Sequence, residues 1–334
     1  MSLRELTVLL VMCLVWGFHF VVIKLAVVDI PPLFYAAVRM SFLTVLLCPF
    51  LRWRPGQMLR VVAAGLCLGG LNYAFMFSGL ARAPASAAAL GLELYVPFAT
   101  ILAVLFLGDR VGVRRGLGIC LSFVGVALIA LASSPADMAR ETSSLEAPVA
   151  GGAATLSEQT MRLGIGLITL TAMAEAIGAV LVKSIRGLTP LQLLAWFALV
   201  GNIVLWPASL LLEPGALASV QSGSLLTLTG AILYSALGAS LIGHASYYWL
   251  LQRLPISLVA PSGLLTTVLA VFFAIMFLGE RLTTAVMVGG GLVLGGVAII
   301  LARNSHRTPV DARPVKTPTG AKGAPSRSAD TSRS

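Results

Sequence analysis

The sequence predicts an all-α membrane protein whose ten transmembrane helices form two five-helix repeats of inverted topology. Three observations lead to this fold class: the composition, an internal duplication and the distribution of positive charge. The chain of 334 residues is 58% hydrophobic and only 11% charged. A water-soluble domain cannot cover that much apolar surface, so the chain is predicted to be integral to a membrane.

The duplication is clearest in two segments of equal length. Residues 81–110 and 252–281 align without a gap at an offset of 171 positions and share eleven residues. The same offset places Gly118 on Gly289, outside the aligned segments. Similarity that continues beyond the segments indicates that a whole half of the chain is repeated.

The predicted spans are apolar segments long enough to cross about 30 Å of hydrocarbon at about 1.5 Å per residue. They are residues 6–27, 31–51, 59–80, 84–107 and 113–132 in the first repeat, and 163–183, 190–212, 225–250, 255–278 and 283–302 in the second. The first repeat is thus placed at 6–132 and the second at 163–302. Residues 133–161 are interpreted as a polar linker, and the basic tail at 303–334 is predicted to be disordered.

Positive charge predicts the orientation of the spans. If both termini are cytoplasmic, the inner loops and the tail hold most of the Lys and Arg, and the outer side receives only Lys24, Arg82, Arg140, Arg162 and Arg281. Membrane topology therefore accounts for the net charge of +10 without a nucleic-acid partner. Because five spans is an odd number, the second repeat enters the membrane from the opposite side. Inverted repeats are typical of alternating-access transporters, which bind substrate at the midplane between the halves.

Two carboxylates are predicted near that midplane. Glu93 lies nine residues into the fourth span and Glu175 thirteen residues into the sixth. Buried charges are costly at this depth, which favours a proton relay or a contact with a substrate ammonium over an accidental position. Glu175 is assigned the proton-coupling role and Glu93 the ammonium contact, although the two roles are interchangeable on this reasoning. The alternative is that both simply form hydrogen bonds between helices.

Other polar residues at membrane depth complete the candidate site. Trp16 and His19 share a helix face, and Arg39 lies too deep to reach the lipid headgroups easily. Asn72 and Tyr73 occupy the repeat positions of Gly243 and His244. The predicted substrate-binding residues are Trp16, His19, Arg39, Asn72, Tyr73, Glu93, Tyr95 and His244. A satisfied core histidine at His19 and a structural pairing of Arg39 remain open alternatives.

The duplicated fourth and ninth spans are the helices most prone to interruption. The fourth contains Gly91 and Pro97, and the ninth contains Pro261 and Gly263 at a similar depth. Matching interruptions in two repeats indicate a transporter site. The alternative is that these residues only allow close helix packing, since glycine and proline are common in membrane helices.

Two other classes of protein are considered. Ser240 and His244 lie four residues apart on one helix face, as a nucleophile and its base would in an intramembrane hydrolase, but nothing in the sequence orients the histidine. A non-transporting membrane protein would have no need of buried carboxylates. The sequence contains no phosphate-binding G-x-x-x-x-G-K-[ST] loop, and the spacing of its four cysteines predicts neither a disulfide nor a metal site. No cofactor is therefore expected.

The sequence also resembles the EamA family of the drug/metabolite transporter superfamily. The resemblance rests on WGFHFVVIK at residues 16–24, on the Pro-Pro and Ala-Val-Arg that follow, and on LGDR at 107–110 and LGER at 278–281. It is strongest to exporters of cysteine and O-acetylserine. The resemblance implies a ten-helix exporter of small metabolites in the bacterial inner membrane, driven by the proton gradient, with multidrug efflux as an alternative activity. Whether the protein forms a homodimer is left open.

Overall fold

The computed structural model describes residues 2–107, 112–131, 158–216, 218, 225–251, 253–254, 259 and 262–302. Within these ranges the regular structure is helical, and no strand is present. The first half contains α1 (Leu3–Asp29), α2 (Pro32–Leu47), α3 (Met58–Gly65), α4 (Asn72–Leu80), α5 (Ala85–Leu92), α6 (Tyr95–Leu107) and α7 (Val113–Leu131). The second half contains α8 (Glu158–Ser184), α9 (Pro190–Leu212), α10 (Leu225–Leu233), α11 (His244–Leu251), α12 (Ser262–Leu278) and α13 (Thr284–Ala302). Nearly all of the predicted linker, and the tail at 303–334, lie outside the described residues.

Eight helical stretches in the described ranges are long and apolar enough to cross a membrane. Two further apolar helices, Gly116–Leu131 and Ser262–Leu278, are shorter. Each of these stretches overlaps one of the predicted spans. The protein is therefore an all-helical, multi-pass membrane protein.

Two helices begin earlier than the hydropathy pattern predicts. Helix α1 starts at Leu3 because Ser2 and Glu5 form a capping box, in which the Glu5 amide donates to Ser2 Oγ (3.3 Å) and the Ser2 amide donates to Glu5 Oε2 (2.6 Å). This box satisfies amide groups that have no partner inside the helix. Helix α8 starts at Glu158, inside the segment predicted as a linker.

The predicted interruption of the fourth span is confirmed. Helix α5 ends at Leu92, and α6 begins at Tyr95 after a turn at Glu93 and Leu94. Pro97 explains the position of this turn, because it lacks the amide hydrogen that would bond the Glu93 carbonyl four residues earlier. That carbonyl instead accepts from the Val96 amide at 3.1 Å. In the ninth span Pro261 lies outside the described residues, and the helix from Ser262 onward is unbroken.

The third and eighth spans contain π-helical segments that the sequence analysis did not predict. Segment π1 (Leu66–Leu71) joins α3 to α4, and segment π2 (Tyr234–Gly243) joins α10 to α11. The offset of 171 places π1 inside π2, so the two repeats share this irregularity. Asn72 and His244 are the first residues after the two segments. Since π-helical turns are frequent at functional sites, these positions are structural candidates for the site.

The last helices of the two halves pack against each other through matched glycines. A Cβ added to Gly118 would lie 2.7 Å from the carbonyl oxygen of Gly296, and one added to Gly125 would lie 2.5 Å from that of Gly289. Only glycine permits this approach of two backbones, which is a common mode of helix association in membranes. The contact holds α7 against α13.

Charged side chains cap helix ends near the turns. Lys24 Nζ donates to the carbonyls of Leu80 and Ala83, each at 2.7 Å, rather than extending to the headgroups. Glu280, in the LGER motif, accepts from Ser86 at the start of α5, through the amide at 3.0 Å and the hydroxyl at 2.6 Å. This contact links the end of α12 to the start of α5. The matching LGDR residues 108–110 lie outside the described residues.

Candidate functional site

Glu93 occupies the interruption between α5 and α6. Its side chain is buried, and its Oε1 accepts a hydrogen bond of 2.6 Å from Thr267 Oγ1 on α12. The turn set by Pro97 thus places a carboxylate against a helix of the other repeat. Thr267 was not predicted as a site residue, since nothing local in the sequence links it to Glu93.

Glu175 lies on α8 and belongs to the same polar cluster. The Asn72 side chain and the Glu93 carboxylate both lie within electrostatic interaction range of the Glu175 carboxylate. Tyr95 and Tyr247 are also within electrostatic range of Glu175. Two carboxylates at low dielectric repel each other, so such a pair is stabilised by a proton or by a cationic group of a ligand.

Trp16 on α1 contacts the end of π2. Its Nε1 donates to the Ala239 carbonyl at 2.9 Å, and its ring centroid lies 5.3 Å from that of His244 and 5.7 Å from that of Tyr247. A Cβ added at Gly243 would overlap the indole of Trp16. The absence of a side chain at Gly243 therefore makes room for Trp16. Tyr247 connects this aromatic group to the carboxylate cluster.

Arg39 on α2 is one of the most deeply buried large side chains, with 1% of its surface exposed. Its Nη2 donates to Ser240 Oγ at 2.8 Å and, over longer distances, to the Ser235 carbonyl (3.3 Å) and the Tyr73 hydroxyl (3.4 Å). The guanidinium carbon also lies 4.4 Å from the centroid of the Tyr73 ring. All these partners are neutral. The structural pairing considered for Arg39 is thus present at Nη2, with neutral acceptors and without a carboxylate in the described residues.

His19 lies next to this cluster and is hydrogen-bonded. Its Nε2 is 2.9 Å from Ser235 Oγ, which is in turn 2.6 Å from the hydroxyl of Tyr35. The Tyr35 hydroxyl also donates to the Ala231 carbonyl at 3.0 Å. These bonds fit the interpretation of His19 as a satisfied core histidine. Ser235 and Tyr35 are further polar residues that the sequence analysis missed.

The predicted site residues therefore form neighbouring groups in one region. Asn72, Glu93, Tyr95 and Glu175 share the carboxylate cluster, Trp16 and His244 share the aromatic group, and His19, Arg39 and Tyr73 surround Ser235 and Ser240. Helix α4 connects the first and last groups, because its adjacent residues Asn72 and Tyr73 contact Glu175 and Arg39, respectively. The site lies where the matched π segments end.

The hydrolase alternative does not fit these contacts. Ser240 Oγ donates its proton to the Ser235 carbonyl (3.1 Å) and accepts from Arg39. A serine nucleophile would instead donate its proton to a base such as His244. The π-helical backbone explains why Ser240 bonds a carbonyl and not His244. Its five-residue repeat places Ser240 Oγ next to the carbonyl oxygen of Ser235.

Interrupted apolar helices around a buried polar cluster define a multi-pass membrane transporter rather than an enzyme. Comparison with known proteins identifies the family. The profile of the EamA-like transporter family matches residues 3–131 and 162–302, and the chain belongs to this family. The sequence resemblance to the family is thus confirmed.

Individual relatives agree with this assignment. The chain is 28% identical over 307 residues to a probable amino-acid metabolite efflux pump of Escherichia coli, covering 90% of this chain and 95% of the relative. It is 29% identical over 306 residues to the protein of the same description in Salmonella typhimurium, with the same coverage. A crystal structure at 18% identity superposes with a TM-score of 0.56, covering 92% of this chain and 100% of its own, which shows a similar fold.

Proposed function

We propose that this protein is a secondary active transporter that exports small, amino-acid-like metabolites. The observation that carries the proposal is the polar cluster in which Glu93, at the interruption between α5 and α6, and Asn72, at the end of π1, lie near Glu175 on α8. A carboxylate pair of this kind suits an ammonium group and a proton, which are the two cations that a proton-driven exporter of amino acids must handle. The named function of the bacterial relatives supports the same substrate class.

The architecture proposed for this function has ten spans in two repeats, at residues 6–132 and 163–302, linked by 133–161 and followed by the tail at 303–334. The repeats have inverted topology, and both termini face the cytoplasm of a bacterial inner membrane. The matched π segments and the paired glycines of α7 and α13 support a structural duplication. Alternating access then follows from motion of one repeat against the other around a fixed site.

Glu175 is assigned the proton-coupling role in this scheme and Glu93 the contact with the substrate ammonium. Glu93 lies at a helix interruption, the kind of place where transporters bind the charged groups of their substrates. Glu175 lies within a continuous helix, with the polar side chain of Asn72 nearby. Proton release when the site opens to one side would then drive export.

Metabolite release tests the proposed function. Cells that overproduce the protein should tolerate higher external concentrations of cysteine and O-acetylserine and should release more of them than cells with an empty vector. The controls are aromatic amino acids, a bulky cationic drug and a strain that overproduces the Glu175→Gln variant. Resistance confined to the drug would reassign the protein to multidrug efflux, and an unchanged profile for every compound would contradict export altogether.

Cysteine labelling tests the proposed topology. In a background without the four native cysteines, a single cysteine at position 143 should react with an impermeant maleimide from outside intact cells. A cysteine at position 326 should react only after the cells are opened. Labelling of both positions from the same side would contradict inverted repeats, because it requires an even number of spans between them and the proposed topology places five there.

A further inference from the structure

The guanidinium of Arg39 is buried with most of its hydrogen-bonding capacity unused. Among the described residues, its Nε and Nη1 have no hydrogen-bond partner, and the side chain is 1% exposed. In the same part of the chain only Nη2 forms hydrogen bonds, and two of these are long. Arginine offers five N–H donors in a rigid planar arrangement, so several of them are left without an acceptor here.

A buried guanidinium with unused donors lowers the stability of the folded protein unless a ligand accepts those hydrogen bonds. A buried donor without a partner costs about 1–3 kcal/mol, and more when it is charged. A protein that needed Arg39 only for packing would be more stable with an apolar residue of similar size. In native structures, unpaired buried groups are therefore associated with function or with an unseen ion or water.

The neighbours of Arg39 indicate the charge of the missing partner. Ser235, Ser240 and Tyr73 provide neutral oxygens, and Tyr73 also places its ring against the guanidinium. In the described residues, no carboxylate of the protein neutralises Arg39. Nε and Nη1 lie on different edges of the guanidinium, and each edge is completed by an N–H of Nη2. Along either edge, arginine can bind a planar carboxylate with two parallel hydrogen bonds.

The distribution of charge also suits one particular class of ligand. Tyr73 accepts a hydrogen bond from Arg39, whereas the preceding residue, Asn72, lies near Glu175. The first turn of α4 therefore separates an unpaired cation from the two carboxylates. A small α-amino acid carries the complementary charges, an ammonium for the carboxylate cluster and a carboxylate for Arg39.

We propose that the carboxylate of the exported compound binds Arg39 along one edge of the guanidinium, through a free donor at Nε or Nη1 together with an N–H of Nη2, so that the transporter selects substrates with a free α-carboxylate. This inference rests on the proposed export of amino-acid-like metabolites and specifies which group of the substrate the first repeat recognises. Binding at Arg39 would distinguish substrates from the corresponding amides and esters, which retain the ammonium group but lose the negative charge of the carboxylate.

Exchange in proteoliposomes tests the inference with serine and serinamide as probes. Vesicles with the full-length wild-type protein and unlabelled serine inside should exchange labelled serine, and external serine should inhibit this exchange at a concentration about 30-fold lower than serinamide does. That ratio is the effect expected for losing a charge-assisted pair of hydrogen bonds. Arg39→Lys, which keeps the charge but lacks the planar edge, should reduce the ratio to near one by weakening serine inhibition only.

Two additional variants control for misfolding and for nonspecific effects of charge. Ser240→Ala removes the nearest acceptor of Arg39 Nη2 with little change in volume, and it should alter the serine-to-serinamide ratio by a few fold. Arg60→Lys is the matched control, because Arg60 is an exposed arginine that donates to the Ser184 carbonyl. It should leave the ratio unchanged.

The outcomes separate this inference from the proposed function. Wild-type protein that exchanges serine but is inhibited equally by serinamide overturns the role of Arg39 and leaves the export function standing. Unchanged discrimination in Arg39→Lys overturns it as well. Exchange that ignores the carboxylate but requires chloride would assign Arg39 to an inorganic anion and likewise overturn the proposal. Wild-type protein that exchanges no amino acid overturns both the inference and the proposed function.

Discussion

The segments π1 and π2 occupy matching places in the two halves of the chain, but different side chains meet at their ends. After π1, the Asn72 side chain lies within polar interaction range of Glu175 on α8. At the end of π2, Gly243 occupies the position of Asn72 and packs against Trp16 of α1. Trp16 is the repeat equivalent of Glu175 when Lys24 is aligned with Lys183. The pair Asn72 and Glu175 therefore forms a polar contact. The equivalent pair, Gly243 and Trp16, forms what is called here the aromatic contact, because the Trp16 ring packs on the glycine.

This difference shows what the duplication has retained and what it has not. The backbone irregularities and the glycine contacts between α7 and α13 recur, because both copies need the same helix packing. The ionisable groups of the candidate site do not recur. At the offsets that align the repeats, Arg39 corresponds to Phe197 and Glu93 to Leu264. A substrate with two different charged ends needs an asymmetric site. A duplicated scaffold provides that site through side-chain differences alone.

The largest effect is expected at the polar contact. Glu175→Gln keeps the shape of the side chain but cannot release a proton, so export driven by a proton gradient should be abolished while exchange between preloaded vesicles remains. Trp16→Phe, at the equivalent position of the aromatic contact, should keep gradient dependence and change only the apparent affinity. Both are measured as labelled serine flux in proteoliposomes with and without an imposed pH difference. Normal gradient-driven export by Glu175→Gln would contradict its coupling role.

The aromatic contact should be sensitive to volume instead of charge. Gly243→Ala adds a Cβ that overlaps Trp16, so we expect serine exchange to fall at least ~10-fold, a loss typical of an overpacked contact. Gly238→Ala is the control, because its Cβ would lie 3.7 Å from the Tyr234 ring, an ordinary contact. Thermal unfolding of the purified variants shows whether the loss is confined to transport.

A double variant sharpens this result. If the Gly243→Ala defect arises from displacement of Trp16, adding Trp16→Phe should restore part of the exchange rate, since the smaller ring relieves the overlap. Additive losses would show that the two residues act independently.

A smaller effect is expected for the ammonium contact. Glu93→Gln removes the negative charge but keeps an oxygen that can accept from Thr267, so the helix interruption should remain intact. We expect the half-saturating serine concentration to rise about 10-fold, while gradient dependence is retained. Thr267→Val removes the hydroxyl that bonds Glu93 and should give a shift in the same direction of only a few fold. Loss of gradient coupling in Glu93→Gln would exchange the roles of the two carboxylates.

Several of these features were predictable from the sequence. Hydropathy and the duplication located the spans, and Gly91 with Pro97 predicted an interruption in the fourth span, which the structure places at Glu93 and Leu94. The depth of Glu93, Glu175, Arg39 and Asn72 also followed from counting residues along a helix. The predicted depths placed these residues at a similar level of the membrane. Depth alone does not show which side chains are in contact.

The contacts themselves depend on how helices rotate and cross, which no local pattern encodes. The partners Thr267 and Ser235 come from distant segments, and neither residue type is unusual in a membrane helix. The segments π1 and π2 were missed because a change from four-residue to five-residue bonding leaves the hydrophobic pattern nearly unaltered. Their matching positions were nevertheless marked by Asn72 and Gly243, which the offset of 171 had already paired.

The smallest effect is expected when residue 72 of the polar contact is changed to glycine, the residue at the equivalent position of the aromatic contact. Asn72→Gly gives the first repeat the residue that the second repeat has at Gly243, and it removes the polar side chain beside Glu175 without adding volume. Because Glu175 remains, gradient-driven export should persist, but its rate should fall about 3- to 10-fold, in line with the net contribution of about 0.5–1.5 kcal/mol from one polar interaction. Asn72→Ala separates this loss from the flexibility of glycine, and both variants should behave alike. An unchanged rate in both would mean that the Asn72 side chain has no part in transport, whereas complete uncoupling would mean that Glu175 depends on Asn72 to exchange its proton.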